Sequence, residues 1–110
     1  MGAGVLNTYR ELLPLTSETP MITMGEGDTP LVKSNRLGRK LDCPELYFKL
    51  EGCNPTGSFK DRGMVVAIAK ALEEGTRAIM CASTGNTSAS AAAFGAYCDI
   101  PTFVLIPKGE

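Results

Sequence analysis

The hydrophobic pattern of residues 46 to 106 changes period four times, and this alternation restricts the fold more than any other property of the chain. LYFKLE, at 46 to 51, is aromatic and apolar between the breakers Pro44 and Gly52, which suits a strand. From Ser58 the period lengthens: Val65, Ile68, Ala69 and Leu72 fall at i, i+3, i+4 and i+7, so a helix is predicted over 58 to 74. Ser58 and Asp61 have the spacing of a capping box, and Gly75 supplies the stop. AIMCAS, at 78 to 83, is a second strand. STGNTSASAAAFGAYC then reads as a turn opening a helix of small residues, and TFVLI, at 102 to 106, is a third strand behind Pro101. Strand, helix, strand, helix, strand predicts an α/β fold of alternating strand-helix units on an open parallel sheet with right-handed crossovers.

The N-terminal part is less regular. NTYRELL, at 7 to 13, is a short helix candidate capped by Asn7 and stopped by Pro14. GEGDTPLV, from Gly25, reads as a loop entering an extended segment, and a further turn surrounds Gly38 to Pro44. With 110 residues the chain makes at most one small domain and a modest core.

Charge and cysteine usage exclude several classes of function. Eleven basic residues against twelve acidic ones leave a net charge of -1, so neither nucleic acid nor an anionic membrane surface is expected as a partner. No apolar run approaches the roughly 20 residues of a membrane span, and the N-terminus lacks a basic region followed by an apolar signal core. A cytoplasmic location is the expectation. Cys43, Cys53, Cys81 and Cys98 form no C-x-x-C pair, which argues against a zinc site and a disulfide framework. They are expected to be free, mostly buried thiols, and no metal is expected.

The chain contains no histidine, which removes the commonest general base and His-activated nucleophiles. Lysine gains weight by elimination. In EGCNPTGSFKDRG, residues 51 to 63, Lys60 falls in the first turn of the predicted helix, where free backbone N–H groups and the helix dipole make a locally positive region. That setting, with partial burial, favours the neutral amine that acts as nucleophile or base, although Asp61 and Glu51 oppose the shift. The bland alternative is a solvated surface lysine. STGNTSAS, at 83 to 90, lies at the C-terminal end of a predicted parallel strand, the edge where open α/β sheets bind ligands. Ser83, Thr84, Asn86 and Thr87 offer donors suited to a carboxylate or phosphate, and Gly85 permits close approach. The alternative there is a set of helix caps. Gly52 to Gly57 has the G-x-x-x-x-G spacing of a nucleotide loop but continues with Ser58 and Phe59 where Lys and a hydroxyl residue are required. Asn86-Thr87-Ser88 matches a glycosylation acceptor that a chain without a secretion signal would not use.

Taken together, NPTGSFKDRG at 54 to 63, ASTGNTSASAAA at 82 to 93 and EGDTPL at 26 to 31 resemble the N-terminal signatures of the fold-type II pyridoxal-phosphate enzymes, and among these the threonine synthase branch. Dehydratases of the superfamily typically carry His after the loop's Gly-Asn, where Thr87 stands here. Cysteine synthases typically lack the Phe before the lysine. The resemblance covers essentially the whole chain and implies the N-terminal part of a two-domain architecture. Residues 1–75 would begin the large domain, with the Schiff-base lysine, and 76–110 the small mobile domain, with the substrate loop.

What the resemblance implies for the site is specific. Lys60 would bind pyridoxal 5'-phosphate covalently and then shuttle protons between substrate carbons. Asn86 would hydrogen-bond the cofactor ring oxygen. Phe59 would flank the ring, core packing being its alternative. Ser83, Thr84, Asn86 and Thr87 would bind the small-molecule substrate at its α-carboxylate, and Lys49 and Asn54 would help hold its phosphate or else serve the fold. Glu51 and Asp61 receive no catalytic role. The implied reaction converts O-phospho-L-homoserine and water into L-threonine and phosphate. A related lyase, such as a serine/threonine dehydratase or cysteate synthase, and a noncatalytic α/β binding or interaction module remain alternatives. Family members are several times longer, so an isolated chain of this length is expected to be inactive unless it assembles with another chain, and a homo-oligomer is compatible with this reading.

Overall fold

The helix predicted around Lys60 is the longest element of the computed structural model, which describes residues 2–109. This helix, α3, is Lys60–Glu73, and it buries Val65, Ile68 and Ala69 on the stripe that their spacing predicts. Its end is a Schellman motif: Gly75, at φ +78°, donates its N–H to Leu72 O (3.0 Å) and Thr76 donates to Ala71 O (2.9 Å). Glycine takes that left-handed backbone at no steric cost. At the other end Ser58 Oγ accepts the Lys60 N–H at 3.2 Å, but the expected capping box does not close. The Asp61 carboxylate turns instead to Thr56 and Ser90.

Two small sheets flank this helix. Strand β1 (Leu31–Lys33) pairs antiparallel with β2 (Tyr47–Lys49), with Val32 opposite Phe48. The short helix α2 (Arg36–Lys40) and the turn after it bring the chain back between them. After α3 come β3 (Ile79–Ala82), α4 (Asn86–Tyr97) and β4 (Thr102–Leu105), and β3 and β4 pair in parallel with Ile79 opposite Thr102 and Ala82 opposite Leu105. The α/β class therefore holds, while the single parallel sheet is corrected. LYFKLE pairs locally with Leu31–Lys33 before the α3 crossover begins, so only the last two strands form the parallel unit.

One core cluster joins the elements: Val5 and Leu6 of helix α1 (Val5–Thr8), Val65, Ile68 and Ala69 of α3, Phe94 of α4, and Ile100. Fully burying Phe94 or Leu6 is worth roughly 2–3 kcal/mol each. The first helix starts at Gly4 rather than at Asn7, which lies inside it and donates its side-chain amide to Ala3 O; a separate 3-10 turn covers Arg10–Leu12. What anchors this segment is Glu26, a fully buried carboxylate that accepts the Val5 N–H (2.8 Å) and the Met24 N–H (3.0 Å). The small residues of α4 have a packing reason: a Cβ on Gly95 would overlap the Thr102 side chain and approach Ile79 Cδ1 at 3.3 Å.

The cysteines are free, as expected, but Cys43 and Cys53 are exposed rather than buried, and Cys81 and Cys98 are half-buried. No helix among the described residues is long and apolar enough to cross a membrane. The molecule is a slab of 51 × 44 × 21 Å with a radius of gyration of 16.7 Å, against about 13 Å for a compact domain of this length. Its sheets are consequently thinly covered: Leu31, Val32 and Phe48 on one, and Met80, Phe103 and Leu105 on the other, are exposed.

Candidate functional site

The turn that precedes α3 is built by Asn54, Pro55, Thr56 and Gly57. Gly57 donates its N–H to Asn54 O at 2.9 Å and holds φ +87°, a conformation that favours glycine. Pro55 at the second position presets the bend. Four side chains then lock the turn. Asn54 is buried; its Oδ1 accepts the Gly27 N–H (2.9 Å) and its Nδ2 donates to Glu51 O and Oε1 (3.0 Å each). Glu51 accepts two bonds from Arg62, from Nε at 2.6 Å and Nη2 at 2.9 Å, and a third from Thr29 Oγ1 at 2.6 Å. This bidentate pairing with Arg62 is the main reason that the Glu51 carboxyl is held at about 2, well below its usual 4.5.

Lys60 stands exposed at the head of α3, and its amine lies 5.1 Å from the centroid of the Phe59 ring, a cation–π distance. Phe59 itself is 58% exposed, so its ring is a surface feature and not core packing. The carboxylates of Glu51 and Asp61 do not pair with the amine: Glu51 is claimed by Arg62, and Asp61 is claimed by Thr56 and Ser90. Among the described residues Lys60 makes no ion pair. The partial burial that the sequence suggests for Lys60 is replaced by exposure.

The second candidate stretch opens α4. Ser83 Oγ accepts the Gly85 N–H at 3.1 Å, and Ser88 Oγ donates to Ser83 O at 2.7 Å, so the loop is braced by the residues around it. The helix cap is Gly85, with no side-chain bond. Thr84, Asn86 and Thr87 therefore do not cap the helix, and their side chains make no hydrogen bond to the described residues. Thr84 and Asn86 are exposed and Thr87 is half-buried. Ser83 and Thr84 also line an open groove with Leu105, Ile106 and Pro107.

The two stretches are tied together through a bond that sequence reasoning missed. Asp61, next to Lys60, and Ser90, one turn beyond Asn86, are both fully buried, and Ser90 Oγ donates to Asp61 Oδ1 at 2.6 Å. Asn86 lies four residues before Ser90, on the same side of α4 but exposed at the helix start. The first turn of α3 is thus tied to the second turn of α4. Lys49 and Asn54 are placed differently. Lys49 Nζ donates to Thr29 O at 2.6 Å and lines a cleft of about 320 Å³ with Tyr9, Glu26 and Asp28, while both ends of the Asn54 amide are engaged within the protein.

Comparisons with known proteins bear on the family of the chain. Residues 22–110 match the model of a family described as pyridoxal-phosphate dependent enzyme. The chain is 57% identical over 107 residues to a threonine synthase of Halalkalibacterium halodurans, covering 97% of this chain and 30% of that protein. A threonine synthase of Bacillus sp. (strain ULM1) is 52% identical over all 110 residues, 31% of its own length. One from Methanosarcina acetivorans is 54% identical over 102 residues, 93% of this chain and 25% of the relative. The chain thus spans less than a third of the length of these curated relatives, in their N-terminal portion.

Proposed function

From the premise that the chain belongs to the pyridoxal-phosphate dependent enzyme family, we propose that it forms the N-terminal part of a threonine synthase and that Lys60 is the residue to which the cofactor binds. The single observation that carries the assignment of Lys60 is its amine: exposed, beside an aromatic face, and left unpaired by two neighbouring carboxylates that are both committed elsewhere. These residues fit the cofactor, since a nucleophilic amine and an uncommitted amide at Asn86 stand at the heads of two adjoined helices. When bound, pyridoxal phosphate supplies an aldehyde that condenses with amines and an electron sink for a substrate carbanion.

The chain's own residues supply position and proton transfer. Lys60 would hold the cofactor, and its neutral amine would take a proton at the substrate's α or β carbon and return it as the ammonium, the flexible four-carbon stem reaching both positions. Thr84 and Thr87 donate hydroxyls, and the first backbone N–H groups of α4 donate with them, to the substrate carboxylate; Ser83 shapes the loop and donates its hydroxyl proton there. Asn86 would hold the cofactor through a side-chain hydrogen bond, and Phe59 would offer it an aromatic face. Lys49 exchanges its bond to Thr29 O for the substrate phosphate, and Asn54 positions the turn beneath.

The reaction proposed is O-phospho-L-homoserine plus water giving L-threonine and phosphate. Residues 1–75 begin the large domain and 76–110 the small mobile one, with Gly75 at the joint. The 110 residues alone are inactive under this reading, because their sheets stand uncovered and the catalytic amine is open to water. The test is the intact mass of the natural protein together with its absorbance in pyridoxal phosphate. A Lys60-dependent visible band that Lys60→Ala abolishes, and a reduced cofactor adduct mapped to Lys60 after borohydride treatment, are expected. A band unchanged in Lys60→Ala overturns the assignment. Phosphate release from phosphohomoserine, against ammonia release from serine or threonine, separates this activity from a dehydratase.

A further inference from the structure

We propose that Asp61 is a positioning residue that fixes the substrate loop relative to Lys60 through Ser90. The inference deepens the proposed function and rests on it. Asp61 has no exposed surface and no cation in contact among the described residues; its carboxylate is satisfied instead by three convergent donors. Thr56 donates its N–H to Oδ2 at 2.8 Å and its hydroxyl to Oδ1, and Ser90 donates to Oδ1 at 2.6 Å. Burying a carboxyl without a counter-charge is unfavourable, so its three donors have to be held in place around it. What the carboxylate achieves that an apolar residue cannot is directional.

Two of its partners belong to the turn that delivers Lys60, and the third belongs to α4. Thr56 starts the segment Thr56–Phe59, so its two bonds set the path by which the chain enters α3 and hence the direction in which the next residue to Asp61, Lys60, leaves the helix. Ser90 lies four residues after Asn86 and three after Thr87, on the face they share. The Asp61–Ser90 bond therefore sets the separation between the amine and the uncommitted amide and hydroxyl one turn above. A displacement of about 1 Å at such a site costs on the order of a hundredfold in rate.

The experiment uses the full-length protein loaded with pyridoxal phosphate, with Ser90→Ala, Asp61→Asn and the double variant. Ser90→Ala removes only the hydroxyl that crosses to α4, adds no volume, and leaves both Thr56 donors on Asp61. Its Lys60-dependent absorbance is expected to persist while KM for phosphohomoserine rises at least tenfold. Asp61→Asn, which sets an NH2 against the Thr56 and Ser90 donors, is expected to lower kcat as well. The double variant should be no worse than Asp61→Asn alone, because both act through one bond. An unchanged KM in Ser90→Ala overturns the proposal, whether or not its melting temperature moves, and so do effects that add in the double variant. If Asp61→Asn does not fold, the Ser90→Ala result decides alone. Failure of the underlying reading is distinguished by Lys60→Ala: a band that survives that substitution removes the cofactor assignment, whereas a band that it abolishes leaves the KM measurement to judge Asp61.

Discussion

The Glu51–Arg62 pair should make the protein measurably acid-sensitive over a defined interval. Glu51 is held at about 2 in the fold against 4.5 for a free carboxyl, a depression of roughly two and a half units. At about 1.4 kcal/mol per unit that is about 3 kcal/mol before screening. Because the two side chains are 25% and 26% exposed, solvent reduces the contribution to roughly 1–2 kcal/mol. A depressed carboxyl stabilises fully above its unfolded pKa, and the contribution drains away as pH falls from 4.5 through about 2. Urea unfolding of the wild type and Glu51→Gln at pH 6 and at pH 2 isolates it. The gap between the two proteins should be largest at pH 6 and narrow by roughly 1–2 kcal/mol at pH 2. Glu73, also held at about 2 by hydrogen bonds from Lys70, Thr19 and Thr16, titrates in both proteins and cancels from the difference. A gap of equal size at both pH values would refute the reasoning, since an uncharged structural role of Glu51 does not titrate.

Two further outcomes are open to measurement. Gly95→Ala should lower the melting temperature despite alanine's helix preference of about 1 kcal/mol, because the overlap with Thr102 costs about 1–3 kcal/mol; Thr102→Ala in the same chain should restore part of the loss, and a stabilised Gly95→Ala would show that β4 yields freely. With a thiol-alkylating reagent and mass mapping, Cys43 and Cys53 should label first and Cys98 last, since burial raises the Cys98 thiol pKa and shields it; equal rates at Cys43 and Cys98 would contradict the packing of α4.

The α3 helix was readable because four apolar residues at helical spacing and a terminal glycine all agree, and each does in the fold what its position predicts. The parallel β3–α4–β4 unit was readable for a similar reason, its connection being long enough for a crossover. The partner of β2 was not. Strand pairing is decided by a local return of the chain through α2, and three-residue strands carry too little pattern to announce it. At the candidate site, Lys60 and the 83 to 87 loop stood out by residue type and turn chemistry, and the loop hydroxyls are indeed left uncommitted to capping. The Asp61–Ser90 contact was invisible, because 29 positions separate two residues whose meeting depends on how α3 and α4 pack. Its one legible trace was Asp61 itself, a carboxyl in the first helical turn that a capping role would explain equally well. Exposure of Lys60 was likewise hidden: burial belongs to layers, and sequence spacing says which residues share a face but not what lies above it.

The thin covering of the two sheets sets the solution behaviour of these 110 residues. With Met80 67% exposed and Phe103, Leu105 and Ile106 more than half exposed along one strand and its end, the polypeptide carries a sticky seam into water. Sulfate, which strengthens the drive to hide such surface, should salt it out early, and a dye that brightens in oily surroundings should light up on it without any denaturant.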